Sequence, residues 1–115
     1  MNQIKNCVTL IGHLGQDPRF ITTQSGRSML NLSLATNDTY RNQQGERVTT
    51  TEWHRCIAWG KLAEWMNNVC KKGGQIAIRG KLTYNSYEDK EGIRRNIPAI
   101  IISEFTLFNK ENRTP

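Results

Sequence analysis

Cysteine is sparse in this 115-residue chain, and none of its three copies has a close neighbour. Cys7, Cys56 and Cys70 are odd in number and form no CxxC pair, which excludes a zinc site of ordinary spacing and a disulfide framework. Three small, buried or half-buried unpaired thiols fit a reducing cytoplasm. Histidine is scarcer still. His13 and His54 are too isolated to suggest a metal or a general base, and no Ser/His/Asp arrangement stands out. Long apolar runs are missing: the stretch Ala99–Ile102 is as long as any, far short of the ~20 residues that span a bilayer. No leader is legible in the polar opening Met1–Asn6. A phosphate loop is absent too, because Gly60-Lys61 has Arg55 where such a loop needs glycine. Gly12-His13-Leu14-Gly15 matches a GXXG loop only in letters, since strand patterns rather than helices surround it. These absences predict a chain that is not an enzyme and uses no cofactor, metal or membrane.

Acidic residues are also few. Ten Asp and Glu face 16 Lys and Arg, a net charge of +6. That balance fits nucleic acid, an anionic membrane or a solvated surface, so the placement of the cations matters more than their sum. With 37% apolar and 23% charged residues the chain reads as one soluble globular domain, large enough to bury a core.

The hydrophobic period organises that domain. Strand-like alternation runs over about Ile4–Leu14, Arg27–Thr36, Thr49–Trp59, Gln75–Tyr87 and Ile93–Phe108. Asn37–Glu46 is polar and reads as a long hairpin loop carrying Tyr40 and Arg41. Between the third and fourth strands, Leu62, Trp65, Met66, Val69 and Cys70 recur at helical spacing, which predicts a helix over Lys61–Lys72 with Trp65 in the core. Gly73-Gly74 stops it. Pro98 inside the last strand marks an edge or a bulge. Three long strands, a capping helix and a final hairpin match an all-β, five-stranded Greek-key OB-fold barrel with one α-helix between the third and fourth strands. Residues 1–108 form this domain, and 109–115 read as a short disordered extension.

Strand side chains alternate faces, so parity sorts the candidates for chemistry. Trp53, Arg55, Ile57 and Trp59 share one face of the third strand. Arg79, Lys81, Thr83, Asn85 and Tyr87 share one face of the fourth, and Ile76, Ile78, Leu82 and Tyr84 suit a core on the other. A face mixing aromatics with cations suits an unpaired strand, whose bases stack on rings and whose phosphates need positive charge. Neither interaction reads base identity. Parity alone is equally compatible with core indoles at Trp53 and Trp59 and with merely solvated Arg79 and Lys81. An exposed loop aromatic such as Tyr40 is costly without a partner.

The motifs Asn6–Pro18, Ala35-Thr36-Asn37, Thr51–Arg55, Gly60–Glu64, Lys72-Gly73, Gly80-Lys81-Leu82 and Tyr87-Glu88-Asp89 occur in the order found in bacterial single-stranded-DNA-binding proteins, and the chain resembles that family over about residues 4 to 108. The resemblance implies an OB-fold homotetramer that protects exposed strands in replication, repair and recombination and sits on the nucleoid in the cytoplasm. It implies base stacking at Tyr40, Trp53, Trp59 and Tyr87, with Tyr at the first and last where well-known members carry Trp, and Trp at the third where they carry Phe. It assigns phosphate contacts to Arg55, Lys61, Arg79 and Lys81, and a subunit contact to His54. Family members usually end in an acidic tip that recruits replication and repair proteins. This chain closes on Asn112-Arg113-Thr114-Pro115, which puts such recruitment in doubt. Two other readings stay open: an accessory adaptor of the same fold acting through proteins, and an RNA-binding OB domain.

Overall fold

A computed structural model describes residues 4–88 and 90–108. After a short 3-10 turn at Ile4–Asn6, the chain forms β1 (Val8–Leu14), β2 (Arg19–Thr22), β3 (Ser28–Arg41), β4 (Arg47–Trp59), α1 (Gly60–Val69), β5 (Gln75–Glu88) and β6 (Arg94–Phe108). The strands run in the order β1-β5-β6-β4-β3-β2, and a further β1–β3 pairing closes the first five into a ring. All pairings are antiparallel except β4–β6. This is the expected barrel, with β2 added along the free edge of β3.

Closure demands close backbone approach. A Cβ at Gly12 would collide with the Ala35 carbonyl, where β1 crosses β3, and one at Gly80 with the Ile101 carbonyl, beside the bulge between β5 and β6. Inside the ring Leu14, Leu30, Leu32, Leu34, Cys56, Ile76, Ile78, Ile100 and Ile102 pack together, and α1 plugs one end with Ala63 and Met66. Gly60 starts the helix at φ 68°, a left-handed turn out of β4 that disfavours any side chain.

Several elements depart from the sequence reading. The helix ends at Val69 rather than Lys72. The following backbone is committed elsewhere: the Lys72 N–H donates to Asp17 Oδ1 at 2.8 Å, and Gly73 and Gly74 exchange hydrogen bonds with Leu14. The long polar loop contracts to Asn42–Glu46, so Tyr40 and Arg41 belong to β3. Asn42 Oδ1 organises that turn by accepting from the Gln44 and Glu46 N–H groups. The outer parts of β3 and β4 project past the barrel, wet on both faces, and carry no alternation for a sequence to reveal. β2 is exposed throughout and is silent for the same reason. Tyr84, expected in the core, is 64% exposed because it lies beyond Leu82, where the β5–β6 hairpin leaves the barrel. Trp65, also expected in the core, is 59% exposed: Ala63, Met66 and Cys70 define the buried direction, and Trp65 sits on the flank. Cys7 is exposed rather than buried. Pro98 lies where β6 is paired with β5 alone, two residues before its pairing with β4 begins. The extension 109–115 lies outside the described residues.

Candidate nucleic-acid interface

The β3–β4 register decides which candidates meet. Directly opposed residues share a face, so Trp53 stands with Ala35, Arg55 with Ser33, Ile57 with Asn31 and Trp59 with Met29. On this outer face Trp53 is 61% exposed, and its ring lies so close over Gly15 that a Cβ there would strike it. Glycine at the end of β1 thus lets the indole lie against backbone with much of its surface in water. Arg55 is exposed beside it. Ile57, which shares the parity, is buried instead.

Trp59 differs from Trp53. It is half-buried at the β4–α1 junction, and the Arg27 guanidinium lies over its ring, 4.2 Å from the centroid. Lys61 follows, exposed, in the first turn of α1.

Two more strands extend the same outer surface. Ile57 pairs with Ile101 of β6, and Ile101 with Lys81 of β5, so Lys81 points outward as Trp53 does, two strands round the barrel from β4. Lys81 and Arg79 line a groove of about 380 Å³ with Asn6, Cys7 and Glu104. Asn6 pins its near wall through a pair of hydrogen bonds with the Leu82 backbone, of 3.0 and 2.9 Å. Arg79 is not free, because its Nε lies 2.9 Å from Glu104 Oε2. Both side chains are more than half exposed, so the pair contributes at most about 1 kcal/mol and can be exchanged for another anion.

The structure adds cations that the sequence reading missed. Arg19 of β2 opposes Asn31, and a groove of about 360 Å³ between Arg19 and Arg55 is lined also by Gln16, Asp17, Asn31 and Ser33. Asn31 Oδ1 is buried there without a hydrogen-bond partner among the described residues, a cost that a donor on a bound molecule would relieve. Arg19 and Arg27 flank a strand whose pairing carries no sequence signal. Only their charge marked them.

Three sequence candidates sit apart. Tyr40 is 53% exposed but opposes Val48 on the other face of the hairpin, about 17 Å along β3 from the Trp53 pairing. Tyr87 of β5 opposes Arg95 of β6, and its side chain is not among those described. His54 opposes Leu34 on the inner face, half-buried, with Nε2 2.8 Å from Thr36 Oγ1. Among the described residues no cluster of His, Cys, Asp or Glu could hold a metal, and no helix is long and apolar enough to cross a membrane.

Comparison with known proteins is consistent with this geometry. The model of the single-strand binding protein family matches residues 5–108. Single-stranded DNA-binding protein 1 of Chlorobaculum tepidum is 39% identical over 93% of this chain and 67% of its own length. The single-stranded DNA-binding protein of Neisseria meningitidis is 36% identical over 93% of this chain and 62% of its own. The chain therefore spans about two thirds of these relatives. Among solved structures, a deletion mutant of the single-stranded DNA binding protein from Thermus aquaticus superposes with a TM-score of 0.80 at 26% identity, covering 93% of this chain and 52% of that one. A Plasmodium falciparum SSB complex with ssDNA shares the fold, with a TM-score of 0.82 at 24% identity over 95% of this chain and all of the other.

Proposed function

The chain belongs to the single-strand binding protein family, and from that premise we propose that it binds single-stranded DNA with little regard to sequence and catalyses nothing. The observation that carries this reading is the outer barrel face on which Trp53 stands exposed beside Arg55, with Arg19 and Arg55 lining one groove. A ring left in water beside cations suits bases and phosphates together. Stacking contributes about 1–3 kcal/mol per base, and each neutralised phosphate releases counterions.

In this reading Trp53, Trp59, Tyr40 and Tyr87 stack bases, and Arg55, Lys61, Arg79 and Lys81 contact phosphates, joined by Arg19 and Arg27. Tyr40, on the far face of the projecting hairpin, engages a strand only where it wraps around that arm. His54 supports association into a homotetramer, and the assembly coats strands exposed in replication, repair and recombination on the nucleoid. Competition on labelled oligo-dT tests the proposal. Unlabelled single strands should displace the probe at far lower concentration than duplex of the same length, and DNA should compete at least as well as matched RNA. Duplex competing as well as single strands would overturn it. RNA winning would move the assignment to a ribonucleic partner, because only RNA offers a 2′-hydroxyl.

A further inference from the structure

Helix α1 carries an aromatic side chain that the barrel does not use. Trp65 is 59% exposed, and its ring meets Phe105 edge-on, with centroids 4.9 Å apart and planes at 68°. That contact steadies the indole while leaving much of it in water. Lys61 lies one turn before Trp65 and Val69 one turn after, so the three form a row along the helix. The row begins at the β4–α1 junction, two residues after Trp59. It ends at a groove of about 440 Å³ lined by Val69, Lys71, Lys72 and the 41%-exposed Phe108. Cations therefore stand at both ends of a helix about 15 Å long, with an exposed ring between them. Two carboxylates border the row and both are engaged: Glu64, one turn after Lys61, accepts a 2.8 Å hydrogen bond at Oε2 from the Ser28 hydroxyl, and Asp17 accepts one of 2.8 Å at Oδ1 from the Lys72 backbone N–H.

We infer that this row is a second stretch of the single-strand path: Trp65 stacks a base, and Lys71 and Lys72 hold phosphates of nucleotides leaving the barrel face over α1. The inference rests on the proposed binding of single-stranded DNA and extends it to a surface outside the barrel strands. A strand is favoured over a protein partner because the row repeats the cation–ring–cation chemistry of the barrel face and starts two residues after Trp59.

The test is the affinity of the full chain for a ladder of labelled oligo-dT lengths, in the wild type, Trp65→Ala, Trp65→Phe and Lys71→Gln/Lys72→Gln. The shortest oligomers, filled by the barrel face, should bind all four proteins alike. Above the length that reaches α1, Trp65→Ala should weaken binding about five- to a hundred-fold, and Trp65→Phe should restore most of it. The double lysine variant should lose about 0.7 of salt slope for each phosphate contact removed, again only on the longer oligomers. Unchanged length dependence in Trp65→Ala would overturn the inference while leaving the barrel reading intact. Equal loss at every length, with a change in particle mass by light scattering, would also overturn it and assign Trp65 to contact with a second copy. Failure of the wild type to bind any oligomer would instead sink the parent reading.

Discussion

The guanidinium of Arg27 lies over the indole of Trp59, 4.2 Å from its centroid, whereas the ring of Trp53 lies over Gly15 and is 61% exposed. The two tryptophans are thus unequal as stacking platforms. A base reaching the covered face of Trp59 must displace the cation or stack upon it, and a cation–π contact contributes about 0.5–2 kcal/mol. Trp53→Ala should weaken oligo-dT binding by about 1–3 kcal/mol, and Trp59→Ala by clearly less. Titrations of the two variants against one oligomer check the ranking. The reverse order would mean that Arg27 swings away at no cost.

Gly15 supports Trp53 by having no side chain. Gly15→Ala places a methyl group where the ring now lies, forcing the indole off the barrel. We expect DNA affinity to fall towards that of Trp53→Ala, with a smaller loss of folding stability, because the Gly15 N–H bond to the Ser33 carbonyl survives. Thermal unfolding and DNA titration of the same variant separate the two effects.

In the proposed binding mode Glu104 competes with phosphate for Arg79. Their exposed pair is weak, so Glu104→Gln should change stability by under about 1 kcal/mol. It should nevertheless tighten DNA binding at low salt, because Arg79 and Lys81 then face their groove without an adjacent carboxylate. Arg79→Gln should do the opposite and reduce the salt slope by about 0.7.

The three thiols divide by burial. Desolvation pushes the Cys56 thiol up to about 12 and the Cys70 thiol to about 11, while Cys7 is exposed. A thiol reagent at mildly alkaline pH should label Cys7 in the native protein and all three after denaturation. In the unfolded chain both buried thiols ionise near the ordinary thiol value, so the folded state binds more protons above that point. Their contribution to stability is intact at neutral pH and declines as pH rises from about 9 towards 11–12. Unfolding midpoints across that range measure the decline.

The barrel was legible where one face of a strand is dry. Leu30, Leu32 and Leu34 alternate because the even face of β3 fills the core, and Ile76 and Ile78 do the same for β5. The outer halves of β3 and β4 and all of β2 were not, since residues wet on both faces obey no period. Trp65 was misplaced because a helical stripe about 100° wide cannot say which of its margins meets a neighbour. At the site, parity grouped Trp53 with Arg55 and Arg79 with Lys81 but left open which way each face pointed, and it is their exposure that shows both to point outward. Arg19 and Arg27 required the structure, because contact between β2, β3 and the β4 end is set by pairing rather than by sequence spacing. So did the separation of Tyr40 from Trp53, since assigning Tyr40 to a loop hid its face.

In the proposed binding mode an exposed indole and cations on the outer barrel surface hold an unpaired strand by separable contributions. Oligo-dT affinity measured against salt for the wild type and Trp53→Ala tests it most directly. Two parallel lines are expected, falling by about 0.7 in log K per log salt for each phosphate held, with Trp53→Ala displaced downward by about 1–3 kcal/mol at every salt concentration. Coincident lines, or wild-type binding that does not respond to salt, would contradict it.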